Sequence, residues 1–254
     1  MPPTDIVVAT TLAALAGALG PLLIGRRSPP ALAALGWSNA LAAGVMLGAA
    51  YLVMTAGLGL AGPGATGGAI LGIVFTWGAH VLYGIGGDVM QPAGEGDAGA
   101  KRAGDEPRGD RRHAGLVATA AVHSAPEGLA IGAAWALDAA FGLFVAVTLA
   151  AHNVSEGAVL GARLASNGTS RPRAALLAVA GNVTQPLVAV LTVLVVAAWP
   201  AMLPWTLGAA FGALVYLCLG ELLPESYGAA GRTSIAVVVS VAAGVVALLG
   251  GRLG

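Results

Sequence analysis

The sequence predicts an all-α, polytopic membrane protein with eight transmembrane helices. Of its 254 residues, 57% are hydrophobic and only 9% are charged, whereas a soluble domain carries roughly 25% charged residues. A helix needs about 20 apolar residues to cross the hydrocarbon core of a bilayer. Eight stretches meet that need: residues 6–24, 31–58, 67–85, 116–137, 139–161, 174–199, 207–223 and 234–249. We therefore expect residues 1–254 to form a single transmembrane domain.

The distribution of basic residues predicts the orientation of these helices. Eleven of the twelve Lys and Arg residues lie in the connections that follow the first, third, fifth and seventh stretches, and only Arg252 lies on the other side. Basic connections face the cytoplasm in most membrane proteins. We therefore expect both termini outside, and the alternation of basic and non-basic connections supports the count of eight.

Residues 88–113 interrupt the apolar pattern. This segment is rich in glycine and in charges of both signs, so it is too polar to cross a membrane. Such a composition is typical of flexible chain. We expect a flexible cytoplasmic loop between the third and fourth helices.

Net charge and cysteine content exclude several classes of protein. The formal net charge is zero, so nothing indicates a nucleic-acid partner. Cys218 is the single cysteine, which excludes an intrachain disulfide framework and a thiolate-rich metal site. Glycine is abundant, and the small-residue runs at 42–50 and 208–214 are typical of surfaces on which membrane helices pack closely.

Two related motifs lie in the fourth and fifth stretches. HSAPEG places His123 four positions before Glu127, and HNVSEG places His152 four positions before Glu156. A spacing of four puts both side chains of a motif on one helical face. The turn near Asp138 is about equally far from both histidines. In an antiparallel pair, with a rise of about 1.5 Å per residue, the two motifs then lie at the same depth.

The charges of these motifs indicate a metal ion. A lone carboxylate in low dielectric costs several kcal/mol or more, and no Lys or Arg occurs between Arg112 and Arg163. Glu127 and Glu156 are therefore either protonated when empty or neutralised by a bound dication. Imidazole with carboxylate suits zinc, iron, manganese or cobalt, whereas Mg²⁺ and Ca²⁺ prefer oxygen ligands alone.

At these motifs the chain resembles the ZIP (Zrt/Irt-like) family of metal-ion transporters. GVMLGAAYL at 44–52 and GELLPE at 220–225 are similar to parts of that family's second and seventh helices. The resemblance implies a transporter domain with a 3+2+3 helix arrangement and a homodimer. It also implies transport of Zn²⁺ or Fe²⁺ toward the cytoplasm by an elevator-like motion, with Mn²⁺, Co²⁺ and Cd²⁺ as further substrates. The main transport site it implies consists of His123, Glu127, His152 and Glu156.

The chain departs from the family pattern around a second metal position. Ser124 stands where the family often has Asn, and Gln185 stands where it often has Glu. Some family members bind a second ion through these positions and through the one that Asn153 occupies here. We therefore predict one ion bound tightly and, at Ser124, Asn153 and Gln185, a second ion bound weakly at most.

Three further polar residues lie in or next to apolar stretches. For His80 we favour packing or hydrogen bonding over metal contact. Glu221 and Glu225 lie at the cytoplasmic end of the seventh stretch. They are either interfacial or part of an exit route for the ion.

Two other functions use similar ligands. A membrane-embedded metalloenzyme is one, but the chain has no HExxH motif to supply a protease base. A metal-gated receptor or channel is the other. We expect a transporter that is not an enzyme, in a bacterial inner membrane as the short, compact form suggests.

Overall fold

The computed structural model describes residues 3–23, 32–83, 107–166 and 168–252. Within these ranges the chain is almost entirely helical. The α-helices are α1 (Pro3–Ala16), α2 (Leu19–Leu23), α3 (Leu32–Tyr83), α4 (Pro107–Leu137), α5 (Ala139–Ser166), α6 (Arg171–Gly181), α7 (Thr184–Ala198), α8 (Leu203–Leu217), α9 (Leu223–Ala230) and α10 (Arg232–Gly250). A 3₁₀ turn (Pro200–Met202) precedes α8, and a π-helical turn (Cys218–Leu222) joins α8 to α9.

Six stretches of the described chain are long and apolar enough to cross a membrane: Thr4–Leu23, Leu32–Leu82, Ala139–Ala165, Arg171–Ala198, Pro200–Ala230 and Arg232–Gly250. The described part of the chain is therefore helical throughout apart from short turns, and the chain is a multi-pass membrane protein. The described parts of the predicted second and third spans, residues 32–58 and 67–83, both lie in α3. The predicted fourth span lies in α4, whose apolar character is lowered by its own polar residues, among them His123 and Glu127. The count of eight spans stays a prediction.

Helix α3 contains a sharp bend at Ala61. This residue has φ −159° and ψ 97°, which is extended backbone inside an otherwise helical run. A Cβ built on Gly57 would lie 3.2 Å from the Cβ of Ala65, although eight residues of straight helix span about 12 Å. Pro63 contributes to the break because it has no N–H to donate to the preceding turn. The two predicted spans are thus two helical segments joined at this bend.

Small residues set the closest helix contacts. A Cβ on Gly208 or Gly212 of α8 would overlap the backbone carbonyls of Ala65 and Ala69 on α3. In the other half of α3, Gly44 lies against α10, where an added Cβ would be 2.6 Å from the carbonyl oxygen of Val239. Both small-residue runs are therefore packing surfaces, as predicted, because only glycine lets the backbones approach so closely.

The helices pack in two groups. Helices α1, α2 and α4–α7 contact one another, and α3, α8, α9 and α10 contact one another. The groups meet mainly where α3 lies against α5 and where α4 lies against α8. Within the first group, α4 and α7 run parallel and touch through Gly128 and Gly132, which face the backbone carbonyls of Gln185 and Ala189. This contact positions the middle of α4 beside α7.

The start of α4 differs from the prediction. The helix begins at Pro107, so residues 107–113 are helical although we expected them in the loop. Proline is favoured in the first helical turn, where its missing N–H has no partner to lose. Residues 88–106, which make up the rest of the predicted loop, lie outside the described residues.

Replacing Gly208 with Ala is expected to destabilise the protein. The added methyl overlaps the Ala65 carbonyl, and overpacking of this kind costs about 1–3 kcal/mol. Gly244→Ala on α10 is the matched control, since a Cβ there meets nothing within 4 Å and Ala favours a helix over Gly by roughly 1 kcal/mol. Thermal unfolding in detergent should show a lower Tm for Gly208→Ala alone. Equal Tm values in the two variants would contradict this packing.

Candidate metal site

One cluster of side chains of metal-ligating types forms between α4 and α5. Glu127 of α4 and His152 of α5 are 1% and 2% exposed, and Glu156 follows one turn after His152. The His152 Nε2 atom lies 3.1 Å from Glu127 Oε1 and 3.8 Å from Glu156 Oε2. One ligand atom from each of the three residues falls within 4.8 Å of the other two. We call Glu127, His152 and Glu156 the inner cluster.

The hydrogen bonds of His152 leave its Nε2 directed at the carboxylates. Its Nδ1 lies 3.4 Å from the carbonyl oxygen of Ala42, and a carbonyl can only accept, so Nδ1 carries the hydrogen. In the neutral ring, Nε2 then presents a lone pair. Glu127 Oε1 and Glu156 Oε2 are buried, and neither has an aligned hydrogen-bond partner despite the short distances. Three electron-rich atoms thus converge, and a shared cation would satisfy all of them.

A second cluster joins the two groups of helices. His80 of α3 and His123 of α4 each direct Nε2 at one oxygen of Glu221, which lies in the π-helical turn. The two imidazole rings meet edge to face, with centroids 5.8 Å apart. Each ring uses Nδ1 on a backbone carbonyl of its own helix, Thr76 for His80 and Thr119 for His123, at 2.7 and 2.9 Å. We call His80, His123 and Glu221 the outer cluster.

The local sequence explains why Glu221 lies in a π-helical turn. Pro224 has no N–H for the carbonyl of Gly220, and its ring would clash with that carbonyl in a regular α-helix. The wider π turn over Cys218–Leu222 accommodates the proline and changes the direction of the side chains before it. Turns of this kind occur often at functional sites.

The four residues predicted to share one ion are divided between the two clusters. Glu127, His152 and Glu156 lie together, whereas His123 lies with His80 and Glu221. The clusters are neighbours, because His123 precedes Glu127 by one helical turn, about 6 Å along the axis. Glu156 is within electrostatic range of both His123 and Glu221. Metal ligation by all four residues stays a prediction.

The residues predicted for a weak second ion are engaged in hydrogen bonds with the protein. The Ser124 hydroxyl donates to the Gly181 carbonyl at 3.0 Å and contacts Thr184. Asn153 and Gln185 bond to each other at 3.0 Å, and Gln185 also donates to Glu127 Oε2 at 2.9 Å. Ser124 thus faces α6 and α7, while the two amides lie behind the inner cluster.

Glu225 has a different partner from Glu221. Its carboxylate pairs with the guanidinium of Arg163, near the end of α5, and both side chains are about one-third exposed. This ion pair connects the two groups of helices at the end where the sequence predicts the cytoplasm.

For His80 the sequence favoured packing or hydrogen bonding, and the structure shows hydrogen bonds to Thr76 and Glu221. The sequence did not predict that His80 lies with His123 and Glu221. The distances of His80 and Glu221 along their helices, counted from the same side of the molecule, could have predicted this grouping. His80 follows the bend at Ala61 by 19 residues, and Glu221 follows Pro200 by 21 residues. At about 1.5 Å per residue, both lie near 30 Å from the same side of the molecule.

Each cluster offers nitrogen and oxygen ligands in numbers that suit a transition metal. Zn²⁺ binds His nitrogen and carboxylate oxygen at about 2.0–2.2 Å, usually with four ligands. Three side-chain ligands leave one position for water or for an incoming group. Backbone carbonyls that orient the imidazoles through Nδ1 are typical of protein metal sites.

Comparison with known proteins matches a family and two relatives whose descriptions all name zinc transporters. Residues 91–251 match the family described as ZIP zinc transporter. Zinc transporter GufA of Myxococcus xanthus is 43% identical over 107 residues, which are 42% of this chain and 42% of the relative. A putative zinc transporter of Arabidopsis thaliana is 29% identical over 122 residues, which are 47% of this chain and 20% of the relative. The chain spans less than half the length of each of these relatives.

Zinc stoichiometry should distinguish the two clusters. We expect the purified protein to bind one Zn²⁺ per cluster, and Glu221→Gln to lose only the outer ion because it removes the carboxylate that both histidines share. Glu156→Gln should lose only the inner ion. Equilibrium dialysis followed by elemental analysis measures both. Loss of both ions in either variant, with unchanged folding, would show that the clusters are not separate sites.

Proposed function

The chain belongs to the ZIP family of zinc transporters, and from this membership we propose that it carries divalent transition-metal ions across a membrane. Zn²⁺ is the first substrate we propose, with Fe²⁺, Mn²⁺, Co²⁺ and Cd²⁺ as alternatives. We propose movement toward the cytoplasm and no enzymatic activity. The matched family region contains every residue of the two clusters except His80.

The inner cluster carries this proposal. Its glutamate on α4 is 1% exposed, and an ionised carboxylate at that depth costs several kcal/mol unless a positive charge compensates it. The side chains around it supply an imidazole and a second carboxylate but no Lys or Arg among the described contacts. A dication satisfies the two carboxylates and the imidazole lone pair together.

The outer cluster lies next to the inner cluster on the proposed path of the ion toward the cytoplasm. Because α4 enters from the end that the sequence predicts to be cytoplasmic, His123 lies one turn closer to that end than Glu127. Glu221, at 26% side-chain exposure, is more accessible than Glu127. An ion leaving the inner cluster would therefore meet His80, His123 and Glu221 before the cytoplasm. Glu225 lies one turn beyond Glu221 on that exit route.

The division of ligands between the helix groups supports an elevator-like motion. All inner-cluster ligands belong to α4 and α5, so that group can move while its ion stays coordinated. The outer cluster and the Arg163–Glu225 pair each combine residues of both groups. Such contacts must break when one group slides past the other. We propose that the described arrangement has a release route on the cytoplasmic side.

The surrounding architecture completes the proposal. We propose eight spans in a 3+2+3 arrangement with both termini outside, a homodimer and a bacterial inner membrane, as the family resemblance and the basic-residue pattern suggest. The sharp bend in α3 and the polar composition of α4 account for the difference between eight predicted spans and the six that length and composition identify.

Uptake into proteoliposomes tests this function. We expect the parent protein to take up Zn²⁺, and His152→Ala and Glu156→Gln to lower the initial rate at least about tenfold. Each variant removes a ligand from the inner cluster, and changes to less direct contacts already lower metal affinity 10–100-fold. Asp5→Asn is the control, because it removes a carboxylate in the first turn of α1, a helix that contributes no residue to either cluster.

Two outcomes would contradict the proposal. One is uptake that persists in both inner-cluster variants at the parental rate, which would refute the site. The other is a folded parent protein that moves none of the five divalent ions, which would favour a receptor or an enzyme.

A further inference from the structure

Gln185 of α7 connects the inner cluster to α1 through a chain of side-chain amides. It is fully buried and donates from Nε2 to Glu127 Oε2 at 2.9 Å. Its Oε1 accepts from Asn153 Nδ2 at 3.0 Å, and the same Nδ2 group donates to the Ala13 carbonyl at 2.8 Å. Asn153 is also fully buried. This series of hydrogen bonds thus runs from the Ala13 carbonyl through the two side-chain amides to Glu127.

The two acceptors at the ends of this series of hydrogen bonds, the Ala13 carbonyl and Glu127, determine the orientation of both amides. The Ala13 carbonyl can only accept a hydrogen bond, and so can the carboxylate of Glu127 when it acts as a metal ligand. Both NH₂ groups must therefore point toward these acceptors, and the Gln185 oxygen must face Asn153. Turning over either amide would bring two acceptors together. Gln185 is thereby fixed as a donor toward Glu127.

The helix contact behind Gln185 prevents it from moving away. A Cβ on Gly128 would overlap the Gln185 backbone carbonyl, so α4 and α7 are in direct backbone contact one residue after Glu127. The side chains of Glu127 and Gln185 therefore extend from two backbones at a fixed separation. Buried groups with fixed donors of this kind are pre-organised for binding.

The two oxygens of Glu127 consequently have different roles. Oε2 is occupied by the Gln185 amide, while Oε1 is buried without an aligned hydrogen-bond partner, 3.1 Å from His152 Nε2. We infer that Gln185 is a positioning residue that holds Glu127 as a one-oxygen ligand and so favours Zn²⁺ over Mn²⁺ at the inner cluster. Zn²⁺ is satisfied by four ligands, whereas Mn²⁺ prefers an octahedral, oxygen-rich shell. This inference rests on the metal site of the proposed function.

Competition between Zn²⁺ and Mn²⁺ for the purified, full-length protein tests the inference. Binding at the inner cluster is defined as the part that Glu156→Gln abolishes. We expect Gln185→Met, which keeps the length of the side chain but removes the donor, to lower the preference for Zn²⁺ over Mn²⁺ by about tenfold, within the 10–100-fold effects of outer contacts on metal binding. The free Oε2 can then join Oε1 on the larger ion.

Two further variants separate positioning from a general effect on folding. Thr192→Val is the matched control on α7, because Thr192 is 5% exposed and its hydroxyl bonds only to Val188 of its own helix in the described contacts. It should leave the preference unchanged. Asn153→Leu removes the donor behind Gln185 and should lower the preference in the same direction by a smaller factor. The double variant should match Gln185→Met alone, because coupled residues are not additive.

The outcomes distinguish this inference from the proposed function. An unchanged preference in Gln185→Met, with Glu156-dependent binding intact, overturns the inference and leaves the proposed function standing. If Gln185→Met does not fold, an unchanged preference in Asn153→Leu overturns the inference in the same way. Zn²⁺ binding to the parent protein that does not depend on Glu156 overturns the site of the proposed function, and the inference with it.

Discussion

The carboxylate of Glu127 is removed from solvent, and no Lys or Arg contacts it among the described residues. The other contacts of the site are arranged around this buried charge. One oxygen receives the Gln185 amide and the other faces Nε2 of His152, which carries a lone pair when the ring is neutral. An arrangement of acceptors facing acceptors is unfavourable by itself, and it becomes favourable when a positive ion lies between them.

Helix packing is what brings these groups together. The inner cluster needs α4 to lie against both α5 and α7, and the α4–α7 contact depends on Gly128 and Gly132, which leave room for backbone carbonyls. The outer cluster needs α4 to lie against α8 and the bent helix α3. Small residues thus act at a distance from the chemistry, because they set the spacing at which long polar side chains can meet. The π-helical turn then directs Glu221 at the two histidines.

Much of this site could be predicted from the sequence. The paired motifs, with His and Glu four residues apart and at equal depth, indicated that Glu127, His152 and Glu156 converge, and the structure brings these three together. The same spacing of four residues does not predict whether His123 contacts the inner cluster or the side chains of other helices. One helical turn separates His123 from Glu127, and the competing partners His80 and Glu221 come from helices that are distant in sequence. Local spacing holds no information on such contacts.

The architecture divides in the same way. The membrane class, the helical fold and the small-residue packing surfaces followed from composition, because they depend on residue type alone. The bend at Ala61 and the early start of α4 depend on where single prolines fall relative to a turn. The polar residues that α4 contributes to the two clusters also lower its mean hydropathy below that of the six apolar spans. The polar side chains of the clusters and the apolar character of a membrane span therefore oppose each other in this helix.

Anomalous scattering at the zinc absorption edge, from crystals of the Zn²⁺-loaded protein, tests the inner cluster most directly. A peak should appear about 2.0–2.2 Å from Glu127 Oε1, from His152 Nε2 and from a carboxylate oxygen of Glu156. Gln185 should still contact the other oxygen of Glu127. Zinc peaks found only elsewhere, with these three side chains bonded to one another or to other neighbours, would contradict a shared dication as the basis of this site.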